Sequence, residues 1–234
     1  MRTILVSRAL TNRKGRALPV TVVEHGHVFR LVVADASELE VLREIFLERE
    51  YELALPSEPE VILDLGSNVG ASIAFFRARY PRARIVGIEP DPRAFDRLRT
   101  NVAQMHGVTV VNIAAAGTDD RRPFYPGAES WLSSLRGQEA EGNKPIEVEA
   151  RTLESLLTEL NLDHIDLLKI DVEGAEEEIL PGFAGLGSVG AVVGEIHPDV
   201  VGDPEGLVRL LDEHFELVVE RALPDRWRLR GVAR

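Results

Sequence analysis

The chain contains no cysteine among its 234 residues. This absence excludes disulfide bonds, metal sites built on thiolates and every mechanism that uses a cysteine nucleophile. Basic residues are also in short supply, because 27 lysines and arginines face 39 aspartates and glutamates, which leaves a net charge of −12. Unspecific binding to nucleic acid or to an anionic membrane depends on basic residues that neutralise phosphates, so we expect this acidic chain to bind neither.

Long hydrophobic runs are missing as well. The only apolar run near the N-terminus is Ile4-Leu5-Val6, and basic residues recur after it. This pattern predicts neither a signal peptide nor a membrane-spanning helix, and a cytoplasmic location is the expectation. The basic residues between positions 8 and 16 are typical of a solvated face.

The first quarter of the chain differs in pattern from the rest. Residues Val20–Val33 are rich in β-branched side chains around a short turn, which predicts a hairpin, and Leu39–Leu55 repeats apolar residues at helical spacing. Such a segment is too short to bury a core of its own. We therefore predict an N-terminal cap of strands and a helix over 1–58 and one larger domain over 59–234.

From Val61 onward, short apolar runs alternate with amphipathic stretches. This alternation predicts an α/β fold, doubly wound, with a mostly parallel sheet covered by helices on both faces. The runs Glu216–Arg221 and Trp227–Arg230 close the chain and predict an antiparallel hairpin at a sheet edge. Region Gly117–Lys144 breaks the alternation, and we interpret it as a long insertion over the ligand cleft.

A glycine-containing loop, Asp64-Leu65-Gly66-Ser67-Asn68-Val69-Gly70, follows the first buried strand. Gly66 and Gly70 allow a sharp turn and a close approach to a ligand. The dinucleotide fingerprint G-x-G-x-x-G is absent, because Asn68 stands where its second glycine would be. Asp64 would repel a pyrophosphate and attract a cationic or amino-bearing ligand. A tight turn without a ligand is the alternative interpretation.

Glu89 follows the next strand. An acidic residue at this point of a doubly wound fold commonly accepts hydrogen bonds from both ribose hydroxyls, and a surface carboxylate that caps the following turn is the alternative. Asp171 and Glu173 end a later strand, at the edge where open α/β sheets bind ligands. Lys169 lies inside that strand and needs a buried anionic partner, for which we predict Glu195 on the neighbouring strand.

Five segments together carry a resemblance to a known family. They are DLGSNVG, IEPDP, NIAAAG, TLESLL followed by IDLLKIDVEGAEEEIL, and EIHP. The series resembles the FkbM family of S-adenosylmethionine-dependent methyltransferases over about residues 40–200. The resemblance implies a Rossmann-like class I methyltransferase fold with a seven-stranded sheet, and methylation of a hydroxyl on a small molecule such as a sugar or natural product.

The resemblance also implies roles for single residues in binding S-adenosylmethionine. Glu89 would hold the ribose, and Tyr51 would close over the cofactor from the cap. The amino acid portion of the cofactor would lie against Gly66, Ser67, Asn68 and Gly70, with Asp64 beneath that loop and Asp171 beside it. The adenine would be bordered by Pro90, Asn112 and Ala114.

Methyl transfer to an alcohol also requires that the hydroxyl lose its proton. Asp171, Glu195 and His197 end adjacent strands, and we predict them to be the catalytic residues near the acceptor. They could hold a Mg²⁺ ion that lowers the pKa of the hydroxyl, or His197 could act directly as the general base. A purely structural role for His197 is the third interpretation.

Two other functions stay open at this point. The chain could bind S-adenosylmethionine without turnover, or it could be a nicotinamide-dependent oxidoreductase, although the glycine spacing and Asp64 disfavour the latter. The absence of cysteine excludes cytosine C5 methylation, which needs a cysteine nucleophile. The sequence does not decide whether the N-terminal hairpin docks on its own subunit or on that of a homodimer partner.

Overall fold

The computed structural model of the chain describes residues 3–5, 18–126, 144–221 and 224–234. In chain order the strands are β1 (Thr3–Leu5), β2 (Leu18–Glu24), β3 (His27–Val33), β4 (Val61–Leu65), β5 (Arg84–Ile88), β6 (Val108–Val111), β7 (Ala114–Ala115), β8 (Asp120–Phe124), β9 (Ile146–Arg151), β10 (Leu167–Ile170), β11 (Ala191–Ile196), β12 (Phe215–Glu220) and β13 (Trp227–Ala233). The helices are α1 (Ala36–Arg43), α2 (Ala71–Arg79), α3 (Pro92–Val102), α4 (Leu153–Glu159), α5 (Glu176–Ile179) and α6 (Pro204–Asp212).

A seven-stranded sheet forms the centre of the fold, in the order β12-β13-β11-β10-β4-β5-β6. Neighbours from β11 to β6 pair in parallel, whereas β13 pairs antiparallel with both β11 and β12. Every residue of β4, β10 and β11 is buried, as burial on both faces of a parallel sheet requires. These features confirm the predicted doubly wound class I methyltransferase architecture with its C-terminal hairpin.

The N-terminal cap consists of a three-stranded antiparallel sheet, β1-β2-β3, and of α1 with one wider helical turn, Glu44–Glu48. Its apolar side chains share one core with α2, and Phe46 meets the ring of Phe75 edge to face. The predicted helix over Leu39–Leu55 ends early, because Arg49 adopts a left-handed conformation with φ 64°. The cap therefore packs against α2 of the same chain through apolar side chains.

The predicted insertion Gly117–Lys144 is only partly described. The interpretation as an irregular insertion is wrong for the first part of this region. Asp120–Phe124 forms β8, which pairs antiparallel with β9 in a small sheet of order β7-β9-β8. The hydrophobic pattern does not predict this strand, because its sequence, DRRPF, is mostly polar and only Phe124 is buried. Residues 127–143 lie outside the described part. Among the residues that are described, each helix is too short or too polar to cross a membrane.

Candidate active site

The loop after β4 is held against two neighbouring strand ends. Gly66 has φ +78°, and a Cβ there would lie 1.8 Å from the carbonyl oxygen of Asp171, so only glycine fits. The backbone N–H groups of Gly66 and Ser67 both donate to the carbonyl of Ile88 at 3.0 Å. Gly70 has φ +88° and is the N-cap of α2. The loop, which we call the Gly66–Gly70 cradle, therefore has no room for a side chain at either glycine.

Glu89 lies directly beside this loop. Its Oε2 accepts a hydrogen bond from the backbone N–H of Asn68, and its Oε1 accepts one from that of Asp91, both at 2.8 Å. The residue is only 6% exposed. Burial raises the pKa of Glu89 to about 7, although the two N–H donors act in the opposite direction. Glu89 therefore is not a surface carboxylate, and it joins the loop to the start of α3.

Two of the three residues predicted to border an adenine, Pro90 and Asn112, lie next to Glu89. The side-chain amide of Asn112 donates to the carbonyls of Glu89 and Pro90, at 2.8 and 3.0 Å. Asn112 itself is exposed, and Ala114 is buried in β7. The structure thus holds Asn112 against the backbone of Glu89 and Pro90, and the contact of all three residues with an adenine stays a prediction.

Lys169 does not pair with Glu195, and that prediction is wrong. Its Nζ lies 3.2 Å from Oδ1 of Asp64 and donates to the carbonyls of Leu65 and Gly66. The register explains the difference, because Lys169 is directly opposite Asp64 on β4, whereas Glu195 lies two residues beyond its partner on β11. Lys169 is therefore an internal cation beneath the glycine loop, and Asp64, which also accepts from Ser72, is fully buried.

Asp171 stands at the centre of the edge where β10 ends. The hydroxyl of Tyr51, from the cap, donates to its Oδ2 at 2.9 Å, and Nζ of Lys169 lies 3.7 Å from the same oxygen. Burial would raise the pKa of Asp171, but Lys169, His197 and the Tyr51 hydroxyl together lower it. Asp171 is therefore ionised at neutral pH. The structure places Tyr51 against Asp171, and a contact with a cofactor stays a prediction.

His197 lies between two glutamates. Its Nδ1 is 3.1 Å from Oε1 of Glu176, and its Nε2 is 3.3 Å from Oε2 of Glu173. Burial alone would lower the pKa of His197, but the hydrogen bond with Glu176 and the charges of Glu173 and Asp171 raise it to about 10. This pKa favours the imidazolium form of His197 at neutral pH. Its role as a general base or a metal ligand stays a prediction.

Glu195 and Glu50 are two buried carboxylates that lie near Asp171. One carboxylate oxygen of each, together with one of Asp171, lie within 4.8 Å of one another. Burial and the charge of Asp171 raise the pKa of Glu50 to about 7 and that of Glu195 to about 8. Arg228 on β13 lies 3.5 Å from Glu50 Oε2 and 3.4 Å from Glu195 Oε1. The hairpin therefore supplies part of the positive charge that this pair needs.

The three residues predicted to hold Mg²⁺ lie close to one another. Nε2 of His197 is 3.8 Å from Asp171 and 3.7 Å from Glu195. Within the described ranges, however, the groups whose ligand atoms converge within 4.8 Å are Asp171-Glu173-His197 and Glu50-Asp171-Glu195, so the predicted triad is divided between two groups. The three residues therefore do not form a single candidate group, and the binding of Mg²⁺ by them stays a prediction.

Sequence reasoning missed several side chains of this site. Arg226 and Arg228 come from the C-terminal hairpin, more than 20 residues from any motif, and no local pattern marks them. Glu50 of the cap directly precedes Tyr51, which is predicted as a site residue, but Glu50 itself is assigned no role. Arg226 bonds Glu44 of the cap at 3.0 Å and so joins the two segments. Glu173 stands at the strand end directly before Gly174, and this acidic residue beside a turn glycine is the signal in the sequence that marks it.

The chain matches the family model described as Methyltransferase FkbM domain over residues 64–214. It is 32% identical over 164 residues to the 2-O-methyltransferase NoeI of Sinorhizobium fredii, a match that covers 62% of this chain and 64% of that relative. It is 27% identical over 200 residues to the hexuronic acid methyltransferase AglP of Haloferax volcanii, covering 83% of this chain and 80% of AglP. A crystal structure of methyltransferase FkbM from Methylobacillus flagellatus superimposes with a TM-score of 0.52 at 16% identity, covering 81% of this chain and 47% of the other.

Proposed function

The chain belongs to the FkbM methyltransferase family, and on this premise we propose that it transfers the methyl group of S-adenosylmethionine to a hydroxyl of a small molecule. The observation that carries the proposal is the junction of the Gly66–Gly70 cradle with buried Glu89, next to a cluster of carboxylates at the same sheet edge. This edge is where open α/β sheets bind their ligands.

The residues around the cradle fit an adenosyl cofactor. Each oxygen of Glu89 accepts one backbone N–H, and a carboxylate has about four acceptor positions, so lone pairs remain for the two ribose hydroxyls. The ionised carboxylate of Asp171 is suited to a ligand that carries a positive sulfonium and an ammonium group. We assign the ribose to Glu89 and the amino acid portion to the cradle and Asp171.

S-adenosylmethionine supplies an electrophilic methyl group. The acceptor oxygen attacks this carbon from the side opposite the sulfur, so a C–O bond forms while the S–CH₃ bond breaks, and the hydroxyl proton must pass to a base. The protein's part is to align the two reactants and to exclude water. Tyr51 and Glu50 extend from the cap over Asp171 and serve this closure.

The class of acceptor is proposed from the relatives and from charge. NoeI is named for O-methyl transfer and AglP for a hexuronic acid, which supports a sugar or a similar polyhydroxylated acceptor here. The net charge of −12 opposes a nucleic-acid partner. His197, Lys169 and Arg228 already place positive charge among the carboxylates, so the proposed transfer does not depend on Mg²⁺.

The proposal is tested by transfer of a labelled methyl group. The purified protein is incubated with methyl-labelled S-adenosylmethionine and a panel of monosaccharides, uronic acids and polyketide alcohols, with added Mg²⁺ or with EDTA. We expect a labelled methyl ether and one equivalent of S-adenosylhomocysteine, at equal rates under both metal conditions. Tight cofactor binding without transfer to any member of the panel would instead indicate a binding module.

A further inference from the structure

Lys169 is a buried cation at a position where an apolar residue would be expected. It lies within β10, every residue of which is buried, and its side chain is only 2% exposed. Removal of an ammonium group from water is costly, and replacement of a buried ion pair by apolar residues of similar size is often neutral or stabilising. The stability of the fold alone therefore does not explain a lysine in this strand.

The hydrogen bonds of Lys169 hold the start of the Gly66–Gly70 cradle. Its Nζ donates to the carbonyl of Gly66 at 2.6 Å and to that of Leu65 at 3.1 Å. The backbone of a glycine is otherwise free to rotate, so a charge-assisted hydrogen bond to its carbonyl fixes the direction of the peptide group that follows. Lys169 therefore orients the cradle at its first glycine.

Two carboxylates and one aromatic ring also lie near the ammonium group. Oδ1 of Asp64 is 3.2 Å from Nζ, and Oδ2 of Asp171 is 3.7 Å away. The ring centre of Tyr51 lies 5.4 Å from Nζ, and its hydroxyl donates to Asp171. Asp64 is fully buried and balances the charge of Lys169, whereas the side chain of Asp171 is 22% exposed at the end of β10. The charge of Asp171 therefore remains for a cationic group of a ligand.

We propose that Lys169 is a positioning residue of the cofactor site. It fixes the carbonyl of Gly66 and the carboxylate of Asp171 in the arrangement that receives the amino acid portion of S-adenosylmethionine. The inference rests on the proposed methyl transfer. Lys169 acts through these two groups, because its own side chain is buried. The ribose, which we assign to Glu89 beside Asn68, does not depend on Lys169.

The test compares Asp64→Asn with the double variant Lys169→Met/Asp64→Asn. The two proteins differ only at position 169, and the double variant lacks both members of the ion pair, a change that proteins tolerate better than the loss of one member. The ligands are S-adenosylhomocysteine and 5′-methylthioadenosine, which keeps the adenosine but lacks the amino acid portion. We expect the double variant to bind S-adenosylhomocysteine more weakly than Asp64→Asn does, by about tenfold or more in calorimetry, and 5′-methylthioadenosine within about twofold.

Arg77→Met is the control for the loss of an internal cation that holds a loop. Arg77 is 8% exposed and donates to the carbonyls of Pro81 and Ala83 just before β5, at the opposite edge of the sheet. Its replacement should lower the free energy of unfolding in urea, because the carbonyls lose their donors. The affinity for both ligands should stay within about twofold of the wild type, since the two sites share no partner.

A second measurement uses the wild type and needs no variant to fold. The ¹⁵N signal of the Lys169 ammonium group should shift when S-adenosylhomocysteine binds and should change little with 5′-methylthioadenosine. Equal affinity of Asp64→Asn and the double variant for S-adenosylhomocysteine, an equal loss for both ligands, or the same ammonium shift with both would overturn the inference. Failure of the wild type to bind S-adenosylhomocysteine would instead refute the proposed function.

Discussion

Replacement of Glu89 by alanine should weaken the binding of the cofactor and also destabilise the fold. The carboxylate would accept both ribose hydroxyls, and charge-assisted hydrogen bonds of this kind contribute about 1 to 3 kcal/mol in total. The dissociation constant of S-adenosylhomocysteine should therefore rise about 5- to 150-fold. Asn68 and Asp91 would each lose the acceptor of a backbone N–H, at a cost of about 1 to 3 kcal/mol per group.

The two effects can be measured separately. Calorimetry with S-adenosylhomocysteine gives the affinity, and urea unfolding of the unliganded protein gives the stability. A pH of about 8 keeps wild-type Glu89 ionised, since burial raises its pKa to about 7. Glu60→Ala is the control, because Glu60 is exposed just before β4 at the opposite edge of the sheet. An unchanged dissociation constant with a reduced stability would show that Glu89 only caps the two N–H groups, and would refute the ribose assignment.

Three further predictions concern the cradle and the cluster. Gly66→Ala should abolish S-adenosylhomocysteine binding or folding, whereas Gly26→Ala, also at positive φ but with nothing within 4 Å of the new Cβ, should cost far less in urea unfolding. Tyr51→Phe removes the donor to Asp171 and should reduce the free energy of unfolding by about 1.5 to 3 kcal/mol, so equal stability would contradict this contact. Because the folded protein raises the pKa of His197 from 6.5 to about 10, its proton stabilises the fold fully below pH 6.5, and this contribution is lost as the pH rises to 10. Urea titrations should show that the free energy of unfolding falls between about pH 8 and 10, and this fall should be smaller in His197→Gln.

The fold could be predicted from sequence because burial and period mark it directly. The fully apolar run Val61-Ile62-Leu63 and the alternation of strands and helices require a parallel sheet, and the last two strands pair as the predicted hairpin. Strand β8 could not be predicted, because its residues are mostly polar. Hydrophobic pattern carries no signal for a strand of this kind.

The site could be predicted only in part, and the reason is register. The sheet-edge rule brings the cradle, Glu89 and Asp171 together, since all three follow parallel strands. It does not say that Lys169 stands opposite Asp64, a pairing that depends on a single residue of strand offset. Arg228 contacts Glu50 although about 180 residues separate them in the sequence, and no local spacing predicts such a contact.

The central claim is that the edge beside Gly66 and Glu89 binds an adenosyl methyl donor. Calorimetric titration of the purified protein with S-adenosylmethionine, S-adenosylhomocysteine and NAD, each with and without Mg²⁺, tests it most directly. The account predicts micromolar binding of both adenosyl ligands, independent of Mg²⁺, and no binding of NAD. Binding of NAD alone, or of none of the three, would contradict it.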